Sequence, residues 1–129
     1  MGRRLLIIDD DPMVCEVLKD RLEAMGYAVL VANDGRTGLA LMALESKQAP
    51  IGGVLLDMHM PVMDGLQVLR ELRARHGPVQ VVMMTADPDH RIREEAFRLG
   101  ASHYVEKPFD TTWFAQLCEQ TFPLTNHDP

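Results

Sequence analysis

Features that anchor or cross-link small proteins are scarce in this sequence. Only two of its 129 residues are cysteines, Cys15 and Cys118, and each lies in a helical pattern without a second cysteine nearby. Cysteines placed in this way indicate reduced thiols packed in the core of a cytoplasmic protein. The first apolar run, at residues 5–8, ends at three aspartates and is too short for a signal peptide or a membrane span. No contact with a membrane is therefore expected.

Basic residues are also fewer than acidic residues. The chain has 13 Lys and Arg against 19 Asp and Glu, a formal net charge of −6. Phosphate contacts need clustered Lys and Arg, so this composition argues against direct binding of nucleic acid. Linkers, low-complexity stretches and long repeats are lacking as well. We expect one domain at residues 1–122, with residues 123–129 as a C-terminal tail or the start of a linker.

Short apolar runs alternate five times with amphipathic stretches of helical period. The first, third and fourth runs are continuously apolar, which is typical of strands buried on both faces. The alternation predicts an α/β fold with a parallel sheet and helices on both sides. The predicted strands are residues 4–9, 28–32, 53–57, 80–85 and 102–106, and the predicted helices are residues 12–25, 35–46, 65–75, 89–99 and 111–122.

Several residues are typical of helix ends. Gly26 and Gly100 follow the first and fourth helical patterns, where a left-handed residue commonly ends a helix. Asp11 precedes Pro12, as expected of an N-cap followed by proline at the first helical position. Asp64 with Gly65 predicts a turn that caps the third helix.

Polar residues follow four of the apolar runs. Asp57 ends the third run, while residues 9–11, residues 85–87 and Lys107 follow the first, fourth and fifth runs. In a parallel sheet these groups meet at one edge, which is where open α/β sheets bind ligands. Capping by one aspartate does not account for the others, since adjacent carboxylates raise each other's pKa unless a cation is present. The pattern therefore predicts a cation site.

Four motifs carry a resemblance to a known family. They are the acidic cluster at residues 9–11, Asp-x-x-Met-Pro-x-Met-Asp-Gly at residues 57–65, Thr-Ala at residues 85–86, and Gly-Ala followed by Tyr-x-x-Lys-Pro-Phe within residues 100–109. In this order and spacing the chain resembles the CheY-like receiver domain of two-component response regulators, over residues 5–122. The resemblance implies a doubly wound (βα)5 fold of three layers, flavodoxin-like, with strand order 2-1-3-4-5.

The resemblance also implies a reaction. Asp57 would accept a phosphoryl group from a histidine kinase or a phosphotransfer protein, so the domain would act in signalling and catalyse only its own phosphorylation and slow dephosphorylation. Lys107 would pair with Asp57 and then with the phosphoryl oxygens. Thr85 would donate its hydroxyl group, and the backbone N–H groups of Met58 and Ala86 would complete the cradle.

The cofactor implied by the resemblance is Mg²⁺, with Mn²⁺ as a substitute. Its ligands would be Asp10, Asp57 and the backbone carbonyl of His59, with Asp9 acting through a bound water. His59 and Asp87 are placed where this family tunes the hydrolysis of the acyl phosphate.

The expected output is a change of surface rather than a product. By the resemblance, Tyr104 would move with Thr85 and alter the face built from the fourth helix, fifth strand and fifth helix, which would contact a downstream effector domain or protein, or a second copy of the chain. Trp113 stands where the family commonly has a polar residue. Two interpretations stay open for it, an exposed contact residue and a partly buried cover for the end of the sheet.

Other functions fit the residues less well. A haloacid dehalogenase-type phosphatase needs a second aspartate where His59 stands. A flavodoxin-like cofactor binder needs a hydroxyl-rich or Gly-rich loop where residues 9–11 would repel an anion. The remaining alternative is a pseudo-receiver that is not phosphorylated and acts as an interaction module, although Asp10, Asp57 and Lys107 are all present.

Overall fold

A computed structural model describes residues 3–124 as five strands that alternate with five helices. The elements are β1 Arg4–Ile8, α1 Pro12–Ala24, β2 Ala28–Ala32, α2 Gly35–Glu45, β3 Gly53–Asp57, α3 Gly65–His76, β4 Gln80–Thr85, α4 His90–Arg98, β5 His103–Glu106 and α5 Thr111–Thr121. Each predicted element exists, and every predicted boundary lies within one residue of the observed one. Residues 125–129, most of the predicted tail, lie outside the described residues.

The five strands form one parallel sheet in the order β2-β1-β3-β4-β5. The predicted fold class and strand order are confirmed. In the register of this sheet Ile8 lies beside Leu56, Asp57 beside Met84, and Thr85 beside Glu106. The ends of β1, β3, β4 and β5 therefore share one edge, so the residues that follow them are neighbours in space.

Two apolar cores lie on opposite faces of the sheet, because successive residues of a strand point to opposite sides. On one side Leu6 and Ile8 of β1 pack with residues of α2, α3 and α4. On the other side Leu5 and Ile7 pack with α1 and α5, including the buried free cysteines Cys15 and Cys118. These are the three layers that were predicted, and both thiols pack as expected.

Each of the five helices begins at an aspartate N-cap. The carboxylates accept hydrogen bonds from backbone N–H groups of the first turn, which otherwise have no partner. The caps are Asp11, Asp34, Asp64, Asp89 and Asp110. The caps predicted at Asp11 and Asp64 are confirmed, and the one at Asp64 forms a reciprocal capping box with Gln67. Five of the 19 acidic residues therefore stabilise helix starts.

The predicted helix ends at Gly26 and Gly100 are also confirmed, with φ angles of 111° and 87°. Within residues 3–124, no helix is both long enough and apolar enough to cross a bilayer.

The start of β3 depends on a glycine. A Cβ atom at Gly53 would lie 2.2 Å from a ring carbon of Phe122, whose side chain is fully buried. The carbonyl of Phe122 accepts a hydrogen bond from the Tyr27 hydroxyl at 2.7 Å, which limits how far the ring can retreat. The central strand and the end of the last helix therefore fit together only without a side chain at position 53.

We predict that Gly53→Ala lowers the free energy of unfolding by about 1–3 kcal/mol, the usual cost of overpacking a core. Gly52→Ala is the matched control, because the Cβ atom there approaches the flexible end of Arg3 and should cost less. Urea unfolding of both variants measures the difference, and adding Phe122→Leu to Gly53→Ala should recover part of the loss. Equal stabilities for the two single variants would contradict this account.

Candidate functional site

Acidic and basic side chains from four strand ends meet at the carboxyl edge of the sheet. Asp9 follows β1, Asp57 ends β3, Thr85 ends β4 and Lys107 follows β5. Asp9 and Thr85 are fully buried, and Asp57 is 4% exposed. The structure therefore brings these four predicted site residues together, because the apolar strands that precede them are fixed in the core.

Lys107 links the two buried carboxylates. Its Nζ atom donates to Asp9 Oδ2 at 2.7 Å and to Asp57 Oδ1 at 3.1 Å. Its backbone N–H donates to the Thr85 carbonyl at 2.6 Å, and the peptide bond to Pro108 is cis. The expected pairing of Lys107 with Asp57 is present, and the shorter contact with Asp9 adds a partner that the sequence did not indicate.

The charges of the side chains at this edge of the sheet, the rim, do not balance. Burial raises the pKa of Asp57 to about 6, the charge of Asp9 adds to the rise, and Lys107 opposes it. For Lys107, burial alone would lower the pKa, but the hydrogen bond and charge of Asp9, with the charge of Asp57, raise it overall. Lys107 is therefore held as an ammonium group, whereas ionisation of Asp57 is less favourable than that of a free aspartate.

The acidic residues are suited to a divalent cation. One carboxylate oxygen from each of Asp9, Asp10 and Asp57 lies within 4.8 Å of the others, and Asp10 is exposed. Three carboxylates and one ammonium group carry a formal charge of −2, which a divalent cation would balance. All the ligand atoms are oxygens, as hard cations prefer. Because these acids are not helix caps, capping does not explain them.

Asp9 differs from its two neighbours in the acidic cluster. Its Oδ1 atom accepts a hydrogen bond from the Asp11 N–H group at 2.9 Å, and its Oδ2 atom is held by Lys107. Both oxygens are therefore engaged within the protein. This geometry is compatible with the prediction that Asp9 acts on a cation mainly through a bound water.

The groups expected to hold a phosphoryl group differ in whether their hydrogen-bond donors are already engaged within the protein. The buried Thr85 hydroxyl accepts from the Asp87 N–H group at 3.1 Å, which leaves its own proton free to be donated. Ala86 is exposed at the end of β4. The Met58 N–H group, however, donates to the Met84 carbonyl at 2.8 Å, as a continuation of the sheet. The prediction that Met58 belongs to the cradle does not fit this hydrogen bond.

The two predicted tuning residues lie at the mouth of the site. His59 and Asp87 are both exposed, and His59 Nε2 is 3.5 Å from the Asp87 carbonyl oxygen. This distance is long for a hydrogen bond. The two residues are therefore neighbours at the edge of the sheet where Asp57 and Thr85 lie, and their part in hydrolysis stays a prediction.

Tyr104 and Trp113 line one groove but differ in burial. Tyr104 is half-buried against the core beneath α4, and within residues 3–124 its buried hydroxyl group has no hydrogen-bond partner. Trp113 is 48% exposed and lines a groove with Arg93, Phe97 and Leu117. Trp113 is thus partly exposed and partly buried, so both interpretations of it stay predictions.

Two further residues contact the site without any signal in the sequence. Asn33, just after β2, and Cys15 of α1 both donate to the Asp9 backbone carbonyl. Burial raises the pKa of the Cys15 thiol to about 11, with smaller contributions from the charges of Asp9 and Asp11, so the thiol keeps its proton. Contacts between positions so distant in sequence become visible only once the strands are aligned.

Comparisons of this sequence with family models and with known proteins point to the same family. The family model for the response regulator receiver domain matches residues 5–119. The chain is 39% identical over 107 residues to the regulatory protein AtoC of Escherichia coli, and 39% identical over 109 residues to the response regulator MprA of Mycolicibacterium vanbaalenii. These matches cover 83% and 84% of this chain but 22% and 46% of the relatives. The chain thus spans less than half the length of either protein.

Solved structures agree on the fold. The chemotaxis protein CheY4 of Vibrio cholerae superposes with a TM-score of 0.83 at 24% identity, covering 94% of this chain and 99% of that one. A response regulator receiver domain protein from Clostridium thermocellum superposes with a TM-score of 0.83 at 27% identity, covering 93% and 94%. The three-layer architecture is therefore shared over nearly the whole chain.

The raised pKa of Asp57 predicts a pH-dependent cost to stability. The folded protein binds this proton with a pKa near 6 and the unfolded chain with one near 3.8. Stability contributed by this group is therefore present below about pH 4, falls as the pH rises to about 6, and stays lost above. We predict that, without divalent cations, Asp57→Asn is more stable than wild type at pH 7.5, by on the order of 3 kcal/mol.

Urea unfolding across pH 4–8 tests this prediction, and the gain should shrink toward pH 4. Asp34→Asn is the matched control, because backbone hydrogen bonding by Thr37 lowers the pKa of that capping carboxyl, so the sign is opposite. A gain for Asp57→Asn that does not change with pH would count against a charge deficit at the rim.

Proposed function

The chain belongs to the response regulator receiver domain family, and from this membership we propose that it accepts a phosphoryl group on Asp57 and relays a signal. The donor would be a phosphohistidine of a sensor histidine kinase or of a phosphotransfer protein. The observation that supports this proposal most directly is the nearly buried Asp57 carboxylate, held 3.1 Å from the Lys107 ammonium group within a cluster of three acids. The protein neutralises the charge of this carboxylate only in part, so its oxygen atoms keep the negative charge that an attack on phosphorus requires.

The proposed transfer is an exchange of one bond for another. An oxygen of Asp57 attacks phosphorus as the bond from phosphorus to the histidine nitrogen breaks, and the imidazole leaves with the bonding electron pair. Lys107, freed from part of its interaction with Asp57, remains near the negative oxygens of the transferred group. Thr85 turns its hydroxyl proton toward one of them, and the N–H group of Ala86 serves as a further donor.

A divalent cation fits the donor set of this rim. Asp10, Asp57 and the carbonyl of His59 would hold it, with Asp9 acting through a water molecule. Mg²⁺, or Mn²⁺ in its place, would supply positive charge against the phosphoryl oxygens while they are transferred. Without that charge, two anionic groups would have to approach each other at a rim that already carries excess negative charge.

Residues at the mouth would set the lifetime of the acyl phosphate. His59 and Asp87 are exposed and close to each other, each two residues beyond a site residue, Asp57 or Thr85. In this proposal they orient or obstruct the water that hydrolyses the phosphoryl group, and they carry no part of the transfer itself.

The output of the domain would be a changed surface on α4, β5 and α5. Drawing Thr85 toward the phosphoryl group would vacate space near Tyr104, whose buried hydroxyl has no hydrogen-bond partner within residues 3–124. The altered face would contact a downstream effector domain or protein, or a second copy of the chain. In this view residues 1–122 form the cytoplasmic receiver unit, and residues 123–129 are a tail or lead toward an effector.

The central prediction concerns mass. With Mg²⁺ and a small phosphodonor such as acetyl phosphate, the wild-type protein should gain the mass of one phosphoryl group, and chelating the cation should abolish the gain. Asp57→Asn should gain nothing, whereas Asp20→Asn, an exposed aspartate on α1, should behave like wild type. Intact-protein mass spectrometry provides the measurement. No gain on wild type would favour the pseudo-receiver alternative.

A second prediction uses the only tryptophan of the chain. Trp113 lies in the groove lined by Tyr104, so phosphorylation should change its fluorescence if the surface responds. Thr85→Ala should still gain the phosphoryl group but lose most of the fluorescence change, because the link between the site and Tyr104 is removed. Thr85→Ser keeps a hydroxyl group and should retain the change. Identical responses from both variants would contradict the proposed route.

A further inference from the structure

We infer that Asn33 and Cys15 are positioning residues for the cation site, acting through the backbone carbonyl of Asp9. Asn33 Nδ2 donates to this oxygen at 3.0 Å and the Cys15 thiol donates to it at 3.3 Å. The same Asn33 amide lies 3.5 Å from Cys15 Sγ. Side chains from the end of β2 and from α1 therefore converge on one atom at the end of β1.

The carbonyl matters because it belongs to the peptide group that joins Asp9 to Asp10. This group is planar and rigid, so holding its oxygen fixes the direction in which the chain enters Asp10. Asp9 is anchored in addition by its N–H group, which donates to the Ala32 carbonyl at 3.1 Å. Two donors on the oxygen and one acceptor for the N–H group leave this turn little rotational freedom.

Asp10 needs such support from its backbone. Its side chain is exposed, and among residues 3–124 no hydrogen bond or ion pair holds its carboxylate. Asp9 and Asp57, in contrast, are both bound to Lys107. The direction of the Asp10 carboxylate toward the other two acids is therefore set by the peptide that Asn33 and Cys15 hold.

Packing alone gives no reason for this arrangement at Asn33. The residue is exposed, so it contributes little to the core, and its amide donates to the backbone carbonyl of Asp9, a member of the acidic cluster. Cys15 has a natural comparison within the chain. Cys118 is an equally buried free thiol in the core between the sheet, α1 and α5, but it makes no contact with the acidic cluster.

The inference rests on the proposed cation site, and its test is the affinity for Mg²⁺ itself. Titration calorimetry on the full chain should show Mg²⁺ binding to Asn33→Ala and Cys15→Ala weakened about tenfold, the lower end of the range for losing a partner behind a metal ligand. Cys15→Ser keeps a donor and should recover most of the affinity. Gln48→Ala, an exposed amide elsewhere, and Cys118→Ala, a buried thiol elsewhere, should bind as wild type does.

Thermal unfolding without Mg²⁺ separates positioning from general damage. Cys15→Ala and Cys118→Ala should lose comparable stability, while only the former loses affinity. Unchanged affinity in Asn33→Ala and Cys15→Ala, or an equal loss in Cys118→Ala, would overturn the inference and leave the proposed function intact. Failure of the wild-type protein to bind Mg²⁺ would overturn both.

As a second readout, the Mg²⁺ concentration that half-saturates phosphorylation by acetyl phosphate should rise about tenfold in Asn33→Ala. The rate at saturating Mg²⁺ should stay near that of wild type, because Asn33 touches none of the reacting atoms. A lower saturated rate with an unchanged half-saturating concentration would contradict a role in positioning the cation ligands.

Discussion

One ammonium group shared by two buried carboxylates sets the charge balance at the rim, the carboxyl edge of the sheet where Asp9, Asp10, Asp57 and Lys107 lie. Burying a carboxylate is costly unless it is paired, and Lys107 can neutralise only one of the two charges that it contacts. The shortfall is visible at Asp57, whose pKa rises to about 6 despite the lysine beside it. A third carboxylate, Asp10, increases the excess. The rim therefore favours the binding of positive charge, and a divalent cation would cancel the remainder.

The rest of the fold is arranged so that this unfavourable cluster can exist. Strands β1, β3 and β4 are buried on both faces, and their parallel register fixes where each chain end emerges. The carboxylates of the five capping aspartates are occupied with N–H groups at the helix starts. Strand packing thus supplies the stability that the rim lacks, and the site is held by groups that take no part in its chemistry.

The sequence predicted much of this because its signals are local and periodic. Apolar runs of strand length, helical spacing between them, and polar residues at the run ends were enough for the elements, the parallel sheet and the shared edge. The strand order came from the family resemblance, and the structure agrees with it. The sequence could not predict which atoms meet. The contact between Lys107 and Asp9, the engagement of the Met58 N–H group with Met84, and the two donors on the Asp9 carbonyl all depend on tertiary alignment.

The loop that follows β3, beside the site, contains a strained backbone conformation. Val62 has a φ of 71°, and the Met63 N–H group donates to the Pro61 carbonyl at 2.8 Å across it. A β-branched residue is rare in this conformation, which typically costs about 1–3 kcal/mol. The loop is held at both ends, by the hydrogen bond from Gly65 to Met58 and by the Asp64 capping box. Strained backbone and excess charge therefore lie together where β3 ends. A cation bound by the acidic cluster would therefore lie beside this strained loop.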